Sequence, residues 1–205
     1  MENTCIMLST PLYTPVDPRC IFDEVDLVGE GIIFDHHITI VFAKEMIVPK
    51  EEILSSMVTI LGEEYEEFID MLKRDEKFKV KDLYDLDCFK GEEAHHIILK
   101  MRKEGMAWDY LEKVNKPLMR KYDIKSDFPE YNPHITLASV IPGESEKYLN
   151  SKKLQLILDD SMISVDDVIY SVGEGPGTWK QSHLTNYHAL DRFFKMENDK
   201  KTPLY

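Results

Sequence analysis

Short apolar runs alternate with segments of helical spacing along the chain. Cys5–Leu8 predicts a strand, and the proline-rich STPLYTPVDP after it predicts a turn region. Gly31–Phe42, GIIFDHHITIVF, is rich in β-branched and aromatic residues and predicts a second strand. From Pro49 the period changes. Ile53, Leu54, Met57, Val58 and Leu61 share one helix face. Pro49, Glu51 and Glu52 suit the start of that helix, and Gly62 its end. Tyr65, Phe68, Ile69 and Leu72 continue helical spacing, with the acids of Glu63–Glu67 as a solvated face. Lys77–Met101 reads as strands around the turn Lys90-Gly91-Glu92. Leu111, Val114, Leu118 and Tyr122 predict a helix that Pro117 kinks or divides into two short ones. Pro129–Val140 predicts a strand, Ser145–Leu158 a helix, and Ile163–Val172 and Ser182–Leu190 strands around the turn GEGPG. Strands are adjacent in places and separated by helices elsewhere, so an α+β fold is expected rather than a doubly wound parallel sheet. No composition shift marks a linker. Residues 1–195 are expected to form one domain, followed by a frayed polar tail, MENDKKTPLY, at 196–205.

Composition narrows the function classes. The 205 residues are 43% hydrophobic and 31% charged, enough to bury a core. A formal charge of −13 repels phosphate backbones at long range, which argues against a grip on duplex DNA. It leaves room for a small nucleotide or a single RNA end in a local pocket. No run approaches 18 apolar residues, and the N-terminus lacks a basic start followed by an apolar stretch, so neither membrane nor secretion is expected. Cys5, Cys20 and Cys88 are odd in number and form no CxxC, which excludes a disulfide scaffold and an ordinary zinc ribbon. Reduced thiols in a cytoplasmic monomer are the simple expectation.

One tetrapeptide pattern occurs twice: His37-Ile38-Thr39-Ile40 and His134-Ile135-Thr136-Leu137. Shuffling this composition gives about 0.06 expected matches and a chance of about 0.0015 of two or more. Side chains alternate faces along a strand, so each His shares a face with its Thr and each apolar pair faces the other way. Two such strands on a common groove present two imidazoles and two hydroxyls. That set suits a phosphodiester. One imidazole takes a proton from the attacking oxygen while the other gives one to the leaving oxygen. The hydroxyls of Thr39 and Thr136 donate to non-bridging oxygens. No metal or other cofactor is required.

These residues resemble the two-histidine (2H) phosphoesterase superfamily, which includes the RNA 2',3'-cyclic phosphodiesterases also called 2'-5' RNA ligases. Its signature is two His-hydrophobic-Thr/Ser-hydrophobic strands about a hundred residues apart, and here the spacing is 97. YNPHITLA also has the aromatic-x-Pro-His arrangement common in that family. The resemblance implies two pseudo-symmetric antiparallel-sheet lobes, with helices outside and the active site between them. It implies hydrolysis of a 2',3'-cyclic, 2'-5' or cyclic-oligonucleotide phosphodiester, as in phage-encoded members that destroy cyclic signalling nucleotides of host defence. The rival expectation is a silent nucleotide-binding sponge of the same fold.

The remaining candidates carry less pattern. Tyr131, Trp179 and Tyr13 are candidate stacking partners for a base, although aromatics also serve the core. His36 lacks a Thr two residues on and reads as structural, as do His95 and His96. A metal site from His36, His37, His95 and His96 is disfavoured, because adjacent histidines on a strand point apart. GEGPG reads as a tight connection rather than a phosphate loop.

Overall fold

The computed structural model describes residues 1–74, 76–125, 130–174 and 178–184. In chain order its elements are β1 (Asn3–Ser9), β2 (Leu12–Tyr13), β3 (Leu27–Ile32), β4 (His37–Ala43), α1 (Lys50–Leu61), α2 (Tyr65–Lys73), β5 (Phe78–Lys79), α3 (Val80–Leu83), β6 (Tyr84–Lys90), β7 (His95–Met101), α4 (Met106–Lys121), β8 (His134–Val140), α5 (Ser145–Leu149), α6 (Lys152–Asp160), β9 (Met162–Ile163), β10 (Asp167–Gly173) and β11 (Lys180–His183). Two four-stranded sheets dominate, in the orders β11-β10-β1-β4 and β3-β8-β7-β6, with a small sheet β2-β9-β5 beside them. Every pairing is antiparallel, so the fold is α+β and bilobal, one sheet to each lobe.

The expected strand over Gly31–Phe42 is in fact two strands in different sheets. Ile32 pairs with Ala138 in the second sheet, whereas His37 begins the ladder to β1 in the first. The polar FDH stretch between them carries the chain from one lobe to the other. The expected division at Pro117 does not occur, and α4 runs unbroken through it. Leu111, Val114 and Leu118, on both sides of the proline, are buried on one face, and that packing outweighs the missing N–H. The expected helix over Ser145–Leu158 breaks at Asn150–Ser151, because the Ser151 hydroxyl accepts from Leu154 N–H and caps a new helix. The strand expected over Ile163–Val172 likewise divides into β9 and β10. The tail at 196–205, most of GEGPG and the end of the expected strand over Ser182–Leu190 lie outside the described residues.

One continuous set of buried side chains joins both lobes, from Ile6, Leu8 and Ile38 through Ile53, Met57 and Phe68 to Ile97, Leu118, Ile135 and Leu154. α1 packs on α4, and α5 lies against β6 and β7. The loop before β3 is tied to α5. Tyr148 Oη donates to the buried Asp26 carboxylate at 2.6 Å, and Lys147 Nζ reaches the same oxygen at 2.7 Å. This contact also holds the Asp26 carboxyl below its ordinary range, through Lys147 first and Tyr148 second. Among the described residues no helix is long and apolar enough to cross a membrane.

Gly62 ends α1 at φ 56°, ψ −121°, a conformation that L side chains rarely adopt. An added Cβ there meets no atom within 4 Å, so the backbone alone decides the outcome. Gly62→Ala is expected to cost about 1 kcal/mol of stability in urea denaturation, with turnover unchanged. A neutral or stabilising result would contradict this account.

Candidate active site

Each His-x-Thr motif opens its strand, at the first residues of β4 and of β8. Ile38 and Ile135 are fully buried, while His37, Thr39, His134 and Thr136 are half-buried on the opposite face. His37 stands opposite Ser9 and Thr39 opposite Met7 on β1. His134 stands opposite Lys100 and Thr136 opposite Ile98 on β7. Directly after each Thr the register slips. Met7 pairs with Thr39 and Ile6 with Val41, leaving Ile40 as a bulge. Ile98 pairs with Thr136 and Ile97 with Ala138, leaving Leu137 as its counterpart. Both bulges lie three residues after the histidine, and both send two successive residues inward. The lobes therefore repeat the motif in backbone geometry as well as in sequence.

The two imidazoles are held in the same way. His37 Nδ1 lies 2.9 Å from the Asp35 carbonyl oxygen, and His134 Nδ1 lies 2.9 Å from the Asn132 carbonyl oxygen. A carbonyl oxygen only accepts, so each Nδ1 carries the hydrogen and each Nε2 is the nitrogen left for chemistry. β4 and β8 pack against each other across the lobes. Burial lowers the His134 pKa first, the hydrogen bond to Asn132 opposes this, and the charges of His37 and then His96 lower it further. The Phe89 ring stands edge-on to His134 with centroids 4.5 Å apart. His36 precedes β4, and its carbonyl accepts from Thr10 N–H at 3.0 Å. Burial and then the neighbouring His37 push its pKa down to about 4, against a smaller opposing effect of Asp35.

Thr39 and His134 line one cavity of about 270 Å³, together with Phe89, Asn115, Met119 and Tyr131. Lys44 and Lys125 also border it, and neither forms an ion pair among the described residues. Glu130, on the same cavity, is held by Lys103 at 2.8 Å. Cys5 lies under Thr39 on β1. Its burial pushes the thiol up to about 12, opposed by a hydrogen bond with Thr39, so the thiol stays neutral.

The three aromatic candidates go to different places. Tyr131 lines the cavity, and its hydroxyl donates to the Thr39 carbonyl at 3.0 Å. Trp179 packs on Cys5, Met7 and Ile169, the face of the first sheet that also carries Thr39, and meets Phe42 edge-on at 6.4 Å. Tyr13 lies outside the cavity in the small sheet, with Lys77 Nζ 4.2 Å above its ring. His95 and His96 face opposite ways, toward Ser145 at 2.8 Å and Ser139 at 3.0 Å. Among the described residues no three His, Cys, Asp or Glu side chains converge as a metal site.

Sequence reasoning missed Phe89, Asn115, Lys44 and Lys125. Only Asn115 left a signal, as an amide set within the apolar face of Leu111, Val114 and Leu118. The others reach the cavity through folding of segments that carry no shared pattern.

A comparison with curated proteins found no match. Among solved structures, E. coli LigT complexed with 3'-AMP is 14% identical, with 87% of this chain and 96% of that chain covered at a TM-score of 0.39. E. coli LigT in apo form is 16% identical, with 90% and 96% covered at 0.40. A structure described as a phosphoesterase is 16% identical, with 87% and 95% covered at 0.41. Residues 34–164 match the family described as "Anti-CBASS protein Acb1". That span contains both His-x-Thr motifs, and the relationship to the two-histidine phosphoesterases read from them holds. Because the match covers more than half of the chain, this protein belongs to the Anti-CBASS protein Acb1 family.

Proposed function

We propose that the protein is a metal-independent phosphodiesterase that cleaves a cyclic signalling nucleotide and so counters a host defence. The observation that supports this most is the repeated imidazole geometry, with both Nδ1 atoms tied to carbonyls and both Nε2 atoms left for proton transfer. His134, whose pKa is held low, starts neutral and takes the proton of the attacking hydroxyl or water at Nε2. His37, opposite the uncharged Ser9, gives its Nε2 proton to the leaving oxygen as the P–O bond breaks. Thr39 and Thr136 donate to the non-bridging oxygens. Trp179 and Phe42 offer an aromatic wall beside Thr39 for a base.

The decisive assay incubates the protein with 2',3'-cyclic AMP, a 2'-5' dinucleotide and cyclic di- and trinucleotides, with EDTA present, and follows each by chromatography. Consumption of a cyclic oligonucleotide is expected. Retention without cleavage would instead favour the silent sponge, and dependence on added Zn²⁺ would overturn the metal-free mechanism.

Lys44 and Lys125 form no ion pair among the described residues, and they border the cavity beside Thr39 on a strongly acidic chain. We place there a second phosphate of the substrate. The double substitution Lys44→Ala, Lys125→Ala is expected to raise KM about tenfold for a cyclic di- or trinucleotide, since a charge-assisted contact contributes about 1.5 kcal/mol or more. KM for 2',3'-cyclic AMP, which has one phosphate, should stay put. An equal rise for both substrates would reject the second-phosphate placement.

A further inference from the structure

The two motif strands repeat each other in sequence but differ in support. Among the described residues β8 is laddered on both sides, by β3 and β7, whereas β4 is the edge of its sheet and is laddered to β1 alone. A bulge on an edge strand leaves carbonyls without ladder partners, and a buried carbonyl left alone is costly. On β4 two side chains supply the missing donors. Tyr131 Oη donates to the Thr39 carbonyl at 3.0 Å, and Asn115 Nδ2 donates to the carbonyl of the bulged Ile40 at 2.7 Å. Asn115 is only 8% exposed, among the apolar side chains of α4. Tyr131 lies three residues before His134. Its ring stacks on the buried Trp108 at 6.2 Å with the planes 24° apart, which fixes where its hydroxyl points.

We infer that Tyr131 and Asn115 are positioning residues that fix Thr39, and with it the first motif, against the second. The segment carrying His134 thus holds the backbone that carries His37 and Thr39. The inference rests on the phosphodiesterase reading in one respect, that the Thr39 hydroxyl donates to a phosphate oxygen. A donor aimed at charge that develops in the transition state is sensitive to small displacements, so loosening it lowers kcat more than it weakens binding.

A kinetic double-mutant cycle tests this. Tyr131→Phe keeps the ring and its stacking and removes only the hydroxyl. It is expected to lower kcat about tenfold while KM changes less than twofold. In a Thr39→Ala background the same change should lower kcat much less, because the hydroxyl is gone and only His37 is left to position. Asn115→Asp, which removes the amide donor, should show the same dependence on Thr39. Equal losses in both backgrounds, or an unchanged kcat in Tyr131→Phe, would overturn the inference. If the native protein cleaves no nucleotide, the functional reading fails, and amide hydrogen exchange tests the strut separately. Exchange at Ile40–Phe42 should then rise about tenfold in Tyr131→Phe, with Ile135–Ala138 unchanged. Unchanged exchange at Ile40–Phe42 would overturn the strut itself.

Discussion

Replacing His37 or His134 by alanine is expected to lower turnover about 100- to 10,000-fold each, the usual contribution of one general acid or base. Folding should survive both changes, because Ile38 and Ile135 keep the buried face of each strand intact. The double variant should be little worse than either single one, since one proton transfer without the other completes no reaction. The pH profile then separates the roles. His134 is half-buried and disfavoured as a cation by desolvation, His37 and His96, so it is expected to supply the acidic limb of a bell-shaped kcat/KM profile, below the ordinary histidine value near 6.5. Residual activity of His134→Ala should lose that acidic limb, and residual activity of His37→Ala should lose the alkaline one. The reverse pattern would exchange acid and base. Near-normal activity in either variant would remove that histidine from the mechanism.

Stability is expected to fall as the pH drops from 7 to 5, and His36 is the main reason. Its folded pKa of about 4 lies below the unfolded value near 6.5. The folded state therefore binds fewer protons than the unfolded chain throughout that window. Stability is fully present above about 6.5 and is lost as pH falls toward 4. Allowing for partial exposure, the loss between pH 7 and 5 is about 1–2 kcal/mol. His134, shifted in the same direction, adds to it. The carboxyls held low by cations, such as Asp85 beside Arg102, begin to contribute only nearer their own ordinary values, below this window. Urea midpoints at pH 7, 6 and 5 test the prediction. His36→Gln should flatten the dependence, and a native protein equally stable at pH 7 and 5 would refute the burial account of His36.

The sequence by itself determined the local frame of the two motifs. Alternation along a strand is enough to put His37 with Thr39 and His134 with Thr136, and to bury Ile38 and Ile135, because it depends only on backbone geometry. Helical spacing and the punctuation at Pro49 and Gly62 were legible for the same reason. Where two local readings competed, packing chose between them. α4 continues through Pro117 because both sides of it bury the same face, and GIIFDHHITIVF divides because its halves pair with different partners. Only the tertiary structure made the two motifs unequal. Their sequences are nearly identical, yet among the described residues one strand is an edge and the other interior. Strand pairing also sets Lys100 opposite His134 but Ser9 opposite His37, and folding brings Tyr131 and Asn115 to the carbonyls of β4. Strand neighbours and burial are set by contacts between residues distant in the chain. Hence two histidines in equivalent motifs acquire different surroundings, which no local pattern could reveal.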